Sequence, residues 1–192
     1  MMFVEKIHNM IFTDSSSLCK KEKHAFLYGK CEKKPEHAKH IIYERMSENM
    51  IEHLQQSYNK KIPNDLLTLY RALNGADLFW TTRFIKKVKI YIPFSLFSIY
   101  GIPLSNSKEC IEPFNISLED LNRPSKTPDS WLKFGAYYDP IEITQKYDIF
   151  VDTETDIVYA VTHNSSECSI VKKWVSVDSC LCDIFDQLNS LS

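Results

Sequence analysis

The stretch IPNDLLTLYRALNGADLFW, residues 62–80, decides the fold because it contains a helix with a clear start and a sharp stop. Pro63 suits a first helical position, where its missing N–H would be unpaired in any case. One apolar face follows at helical spacing: Leu66, Leu69, Tyr70 and Leu73. Asn74-Gly75 comes directly after that face, and glycine readily takes the left-handed conformation that closes a helix. We therefore predict a buried helix that ends at Gly75 with positive φ, so that the chain reverses into a strand.

The composition is that of an ordinary globular protein. The chain has 192 residues, of which 44% are hydrophobic and 25% charged, which favours one domain with a substantial core. The longest apolar run, residues 90–104, is shorter than a membrane-spanning helix and contains two prolines. The N-terminal residues lack the basic leading region and cleavage site of a secretory signal, and the six cysteines form no CxxC pair. We expect a cytoplasmic protein with reduced thiols and no membrane contact.

The charge is distributed unevenly along the chain. Residues 1–108 hold 17 Lys and Arg against 10 Asp and Glu (+7), whereas residues 109–192 hold 6 against 15 (−9). The formal net charge of −2 therefore hides a basic first half and an acidic second half. Such an asymmetry bears on the kind of partner that the protein binds.

Helices are predicted for the first part of the chain. Residues 1–39 are polar and rich in lysine, and we interpret them as a partly helical N-terminal extension that contributes little core. A helix is predicted from about Pro35 because apolar residues then recur at four-residue spacing: Ile42, Met46, Met50 and Leu54. With the Pro63 helix, residues 40–73 are expected to be mainly helical, and residues 40–192 to form a single domain.

Strands and a closing helix are predicted for the rest. Residues 84–92, 131–140 and 165–177 are rich in β-branched and aromatic residues, and residues 147–163 read as a hairpin around Thr153-Glu154-Thr155-Asp156. A C-terminal helix, with Ser176 or Asp178 as its cap, presents one apolar face: Leu181, Ile184, Phe185, Leu188 and Leu191. We predict an α+β fold with N-terminal helices, an antiparallel β-meander over residues 84–175 and a closing helix over residues 178–190.

These segments together resemble the SUKH superfamily, the Smi- and Knr-like domain. IPNDLLTLYRALNG is similar to its helix with a terminal Asn-Gly, PDSWLKFGAYYDP to its strand with a Phe-Gly step, DIFVDTETDIVYAVTH to its hairpin, and WVSVDSCLCDIFDQL to its closing strand and helix. The resemblance covers roughly residues 40–190. It implies a non-enzymatic binding module without a cofactor. Bacterial members are mostly cytoplasmic immunity proteins that bind cognate toxin domains, many of them nucleases, and eukaryotic members are regulatory scaffolds.

Acidic residues are concentrated around the predicted hairpin. Six carboxylates occur within eighteen residues that contain the single Lys146: Asp139, Glu142, Asp148, Asp152, Glu154 and Asp156. They are open to three interpretations, namely a solvated turn, an acidic surface that binds a partner, and a metal site of a small hydrolase. We predict the partner-binding surface.

Two further clusters have alternative readings. Nitrogen and sulfur ligands for zinc occur in the N-terminal region, although without a closely spaced Cys pair, so a solvated segment is the other reading: Cys19, His24, Cys31, His37 and His40. Basic residues are interleaved with apolar ones in FIKKVKIYI, as in a nucleic-acid patch or in an edge strand guarded by charge: Arg83, Lys86, Lys87 and Lys89. We predict neither a metal site nor nucleic-acid binding.

The common enzyme motifs are missing from the sequence. It has no Gly-rich phosphate loop, no nucleophile elbow and no HExxH. Trp80, Trp131 and Trp174 are interpreted as packing residues, the latter two in the core. The sequence thus favours an immunity protein that binds a toxin domain, as a monomer or weak homodimer. A generic interaction scaffold and a metal-dependent hydrolase are the alternatives.

Overall fold

The structure is a computed structural model. It describes residues 1–13, 18–29, 39–58, 61–85, 90–104, 110–116, 124, 126–139, 141–142, 144–162 and 168–190.

The described residues form four helices and nine strands. The helices are α1 Met2–Thr13, α2 Glu48–Ser57, α3 Asn64–Ala72 and α4 Val177–Asn189. The strands are β1 Leu18–Lys21, β2 Ala25–Tyr28, β3 His40–Tyr43, β4 Ala76–Ile85, β5 Ile90–Ile99, β6 Trp131–Tyr138, β7 Lys146–Asp152, β8 Val158–Thr162 and β9 Ile170–Trp174. All nine belong to one sheet in sequence order, and each neighbouring pair is antiparallel. The predicted α+β class, with an antiparallel meander and a closing helix, is confirmed.

The main core lies between the helices and one face of the sheet. Helix α1 supplies Phe3 and Ile7, and α4 supplies Leu181 and Phe185. The rings of Phe3 and Phe185 pack edge to face with centroids 6.0 Å apart. The two helices are also joined at one end, because the Asp178 carboxylate accepts the N–H groups of Met2 and Phe3 at 3.1 and 3.0 Å. An acidic side chain thereby caps the first turn of α1.

The predicted boundary between residues 39 and 40 is wrong. Phe3 is fully buried in the main core, and Ala25 and Leu27 are fully buried on the other face of the sheet. Strands β1 and β2 are the first two strands of the common sheet. Because these strands have only four residues each, their few apolar side chains did not stand out among the lysines.

The helix predicted from Pro35 is also wrong at its start. His40–Tyr43 forms β3, and α2 begins only at Glu48, where the Ser47 hydroxyl accepts the N–H of Met50. The apolar spacing of Ile42, Met46, Met50 and Leu54 arises because a strand, a loop and a helix face the same core. The β-branched run Ile41-Ile42 before Tyr43 is the local signal for the strand.

The predicted positive φ of Gly75 is confirmed, but α3 ends earlier than predicted, at Ala72, and Leu73 follows it in an extended conformation. Gly75 has φ 92°, and a Cβ at this position would lie 2.5 Å from the Ile99 carbonyl oxygen. Asn74 is fully buried, and its side-chain amide donates to the Ile102 carbonyl at 2.7 Å and accepts the Ile102 N–H at 2.8 Å. Asn74-Gly75 therefore does not close α3 itself, but connects the extended residue after the helix to β4 and to the chain that follows β5.

The closing helix agrees with its prediction. Ser176 is the cap of α4, since its hydroxyl accepts the Ser179 N–H while the Ser179 hydroxyl accepts the Ser176 N–H. Trp131 and Trp174 are both buried, as predicted. The turn predicted at Thr153-Glu154-Thr155-Asp156 connects β7 to β8.

We expect Gly75→Val to lower the free energy of unfolding by about 2 kcal/mol or more, because a β-branched residue fits the left-handed region poorly and its Cβ would meet the Ile99 carbonyl. Ala72→Val, on the exposed side of α3, is the matched control and should cost only about 0.5 kcal/mol. Urea denaturation measures both variants. Equal costs at the two positions would show that Gly75 is not constrained.

Candidate functional site

The six acidic residues predicted as one surface do not come together. Asp139 and Glu142 lie on the connection from β6 to β7, whereas Asp152, Glu154 and Asp156 lie at the turn from β7 to β8. These are opposite ends of the seven-residue strand β7, about 20 Å apart at the rise of an extended chain.

Asp148, in the middle of β7, is buried. Its side chain is 1% exposed and lies 3.1 Å from the Lys133 ammonium, whose side chain is 0% exposed. The Lys133 Nζ also lies 5.8 Å from the centroid of the Tyr100 ring. The prediction that Asp148 contacts a partner is therefore wrong, because its charge is matched inside the protein.

Two of the remaining carboxylates shape their own loops. Asp139 accepts the N–H groups of Ile141 and Glu142, both at 2.8 Å. Asp152 accepts the Glu154 N–H at 3.0 Å and the Thr155 hydroxyl at 2.8 Å. Partial burial acts to raise the pKa of Asp152, but these hydrogen bonds outweigh it and hold the pKa below its ordinary value. Glu142, Glu154 and Asp156 remain as exposed carboxylates.

The zinc ligands considered from the sequence are only partly described. Cys31 and His37 lie outside the described residues, as does the side chain of Cys19. The His24 Nδ1 lies 3.0 Å from a Glu44 carboxylate oxygen, while His40 is buried at the other end of β3 and its Nδ1 accepts the Phe79 N–H at 3.2 Å. Within the described part of the chain, no group of three His, Cys, Asp or Glu side chains is arranged to hold a metal ion.

The basic cluster is likewise not described in full. Lys86, Lys87 and Lys89 lie outside the described residues, and of Arg83 only the backbone is described. Arg83 pairs with Ile92 in the β4–β5 hairpin. Strand β3 pairs with β4 only at Ala76 and Asp77, so among the described residues the Arg83 end of β4 pairs with β5 alone, and the interpretation of this end as an edge strand stays a prediction.

A cavity of about 510 Å³ lies on the sheet face opposite the helices. Asp77 and Ser98 line it, and they alternate along β4 and β5 with the core residues Leu78 and Phe97. Aromatic side chains form much of its wall, among them Trp80, Phe94, Tyr100, Phe114 and Tyr138. Its volume and apolar walls with a few polar groups are typical of ligand sites.

Asp77 is the centre of a buried polar network in this cavity. Its Oδ2 accepts the Tyr43 hydroxyl at 2.6 Å, and its Oδ1 lies 3.0 Å from the Ser95 hydroxyl and 2.5 Å from the Ser98 hydroxyl. Burial raises the pKa of Asp77 above its ordinary value, although the three hydroxyls oppose that shift. Burial and the neighbouring carboxylate also raise the pKa of Tyr43. The carboxylate is thus held rigidly in one orientation.

A local backbone irregularity brings these groups together. Phe79 has φ 55°, which is rare for an aromatic residue, and its ring packs against Phe185 on the helix side of the sheet. Leu78 and Phe79 therefore both face the main core, and Trp80 is turned into the cavity. On β5, Ser95 pairs with Trp80 and Ser98 pairs with Asp77, so two serines three residues apart both reach the same carboxylate.

Two polar atoms of the cavity lack a hydrogen-bond partner among the described residues. The Trp80 Nε1 and the Glu112 Oε1 are both buried without a partner, whereas the Glu112 Oε2 accepts the Leu104 N–H at 2.9 Å. Buried polar groups are nearly always paired, so each exception requires an explanation. Both residues line the cavity, although these two atoms are themselves closed to solvent, so a shift of the two side chains brings a donor and an acceptor within reach of a ligand.

Sequence reasoning missed this site. A local signal exists for Asp77, since a charged residue in the apolar run ADLFW needs a buried partner. The sequence around Glu112 contains no such local signal, because Glu112 lies in a segment between β5 and β6 that contains several prolines and has no regular pattern. The pairing of Asp77 with Ser95 and Ser98 depends on the hairpin register.

Comparison of the chain with protein-family models, with curated proteins and with solved structures found no match. Among the described helices, none has the length and apolar character to cross a membrane.

We expect Tyr43→Phe to lower the free energy of unfolding at pH 7 by about 1.5–3 kcal/mol, because it removes a hydrogen bond to a buried carboxylate. Since the pKa of folded Asp77 is raised, its contribution to stability decreases as pH rises from the unfolded value of about 3.9 through the folded pKa. Loss of the Tyr43 donor raises that folded pKa further. The cost of the substitution should therefore be smallest below about pH 4 and grow with pH.

Urea denaturation at several pH values measures this effect. Tyr28→Phe, at a half-buried position on β2, is the matched control and should show a small cost that does not change with pH. A cost for Tyr43→Phe that is the same at every pH would contradict the coupling to Asp77.

We expect Lys133→Met to cost about 3–5 kcal/mol, because it leaves the buried Asp148 carboxylate without its cation. Lys172→Met is the control, since Lys172 pairs with Asp183 at 2.6 Å with both side chains about 40% exposed, and such pairs contribute about 1 kcal/mol or less. Thermal and urea denaturation measure the loss of stability of both variants. Similar small costs would contradict a structural role for the pair.

Proposed function

We propose that the protein is a binding protein that neutralises a cognate toxin domain, as bacterial members of the SUKH superfamily do. The observation that carries this proposal is the cavity on the open face of the sheet, whose central carboxylate, Asp77, is fixed by three hydroxyls. A carboxylate held in this way fixes the positions of the side chains around it, so the cavity is preorganised for a partner. It is poorly suited to proton transfer, because its oxygens are already occupied.

The charge distribution supports a basic partner. Residues 109–192 carry a net charge of −9, and Glu142, Glu154 and Asp156 are exposed. A domain that acts on nucleic acid presents a positive surface to the phosphates. An acidic inhibitor associates faster with such a surface and competes with the nucleic acid. A nuclease domain is therefore the kind of toxin that this protein fits.

The cysteines support a cytoplasmic location, where thiols stay reduced. Cys110, Cys168, Cys180 and Cys182 are free thiols. Cys180 is completely buried, and burial raises its pKa well above the ordinary value. Its thiol is thus a packing group rather than a reactive one.

A generic interaction scaffold is the second candidate, and the same cavity favours it, because a preorganised recognition site serves either role. The metal-dependent hydrolase receives no support from the acidic hairpin. Asp148 is paired with Lys133, and Asp152 is occupied by hydrogen bonds within its turn.

The test is co-expression with the toxin domain encoded beside this gene, with cell survival and association rate as readouts. We expect the protein to protect cells and to bind the toxin domain faster at low salt. Glu142→Gln should slow association severalfold with an unchanged melting temperature, since Glu142 lies on the connection between Tyr138 and Lys146, which both line the cavity.

The matched control is Glu154→Gln with Asp156→Asn, at the far end of β7, where association should stay close to that of the wild type. Asn tolerates the positive φ of 60° at position 156. Slower association for this control alone would place the interface at the β7–β8 turn. Absence of protection and of binding by the wild type would leave the scaffold as the better explanation.

A further inference from the structure

The cavity is electronegative for reasons of composition and burial. Two carboxylates, Asp77 and Glu112, line it together with one cationic side chain, Lys146. Asp77 is only 5% exposed, so water screens its charge weakly. A bound cation is therefore favoured over a bound anion.

The walls of the cavity suit the same kind of ligand. Phe94 and Tyr138 lie on one side with ring centroids 5.0 Å apart, and Tyr100 and Phe114 form a second pair at 5.6 Å. Both pairs meet edge to face. The Lys133 Nζ already lies 5.8 Å from the centroid of the Tyr100 ring, so the Phe94–Tyr138 pair is the one better suited to a ligand cation. Aromatic faces attract ammonium and guanidinium groups and pack against alkyl chains.

The two unpartnered atoms belong to residues that line the cavity but are closed to solvent, so a ligand contacts them only after the two side chains shift. The Glu112 Oε1 is an acceptor and needs a donor, which an ammonium or guanidinium group supplies. The Trp80 Nε1–H is a donor and needs an acceptor, which a cationic group cannot supply. One ligand satisfies both atoms if it carries a cationic head and a carbonyl oxygen on the same short chain.

We propose that this cavity binds a lysine or arginine side chain of a partner protein, with the cation at Glu112 and a peptide carbonyl at Trp80. This inference deepens the proposed function and rests on it for the identity of the partner. The cavity of about 510 Å³ is large enough for one such side chain together with its flanking peptide groups. The affinity for a cationic side chain is a property of the cavity itself, so it can be measured with isolated amino-acid derivatives.

The probes are N-acetyl-arginine methylamide and N-acetyl-lysine methylamide, with N-acetyl-citrulline methylamide as the neutral isostere of the first. The readout is the indole N–H resonance of Trp80 in the ¹⁵N-labelled full chain, which has three tryptophans. Trp80→Phe assigns the signal. We expect at least one cationic probe to shift the Trp80 resonance saturably, and citrulline to bind about tenfold more weakly than arginine.

Glu112→Gln tests the acceptor with little change of shape. It should weaken the cationic probes about tenfold and leave the citrulline probe unchanged, with a melting temperature close to that of the wild type. Glu154→Gln, at the exposed β7–β8 turn, is the control and should bind every probe as the wild type does.

Equal affinities for arginine and citrulline, or unchanged binding of the cations to Glu112→Gln, would overturn the proposal. So would the absence of any shift at Trp80. These measurements need no toxin. If the probes do not bind, toxin neutralisation can still hold, but through a contact other than this cavity. Conversely, if the probes bind but the protein does not protect cells, the proposal that the cavity binds a cationic side chain stands and the proposal of toxin neutralisation is overturned.

Discussion

The structure depends on the way in which Asn74 and Gly75 connect three segments of the chain. The backbone of this dipeptide pairs with Tyr43, through the Asn74 N–H and the Gly75 carbonyl, while the Asn74 side chain makes both hydrogen bonds of the Ile102 backbone. A buried amide thus acts as a short piece of strand between a helix and a loop. Gly101 permits this approach, since a Cβ there would lie 2.2 Å from the Asn74 carbonyl oxygen.

The same connection positions the cavity. Tyr43 is the residue that pairs with Asn74 and Gly75, and its hydroxyl donates to Asp77, which follows two residues after Gly75. Asn74 and Gly75 therefore position both the donor and the acceptor of the hydrogen bond from Tyr43 to the Asp77 Oδ2. The irregular backbone at Phe79 then turns Trp80 into the cavity. Strained backbone of this kind persists where the surrounding packing holds it, and it is common beside functional sites.

The two faces of the sheet differ in what they bury. One face is covered by the helices and forms the main apolar core. The other carries the Asp77 network, the buried Lys133–Asp148 pair and the aromatic cavity. The polar groups buried on this second face form hydrogen bonds or an ion pair with one another, and these interactions limit the conformations that the site can adopt. A rigid site on an open sheet face is well suited to holding a partner.

The sequence by itself determined the elements whose signals are local. Pro63 and the apolar face predicted α3, Asn74-Gly75 predicted the turn after it, and Ser176 predicted the cap of α4. These signals are local, because caps, turns and helix periodicity involve residues within a few positions of one another. The β7–β8 hairpin was predicted for the same reason. From these elements the α+β class and the meander followed.

Only the tertiary structure decided which residues are buried and which meet. Strands β1 to β3 belong to the sheet although each has only four residues, because the neighbouring strands and the packing against them stabilise segments too short to be recognised alone. Asp148 appeared to be one of six surface acids, yet it pairs with Lys133, fifteen residues earlier, through the register of β6 and β7. Glu112 joins Asp77 in the cavity from a separate segment. Such contacts depend on distances across the fold, which no local pattern of residue types encodes.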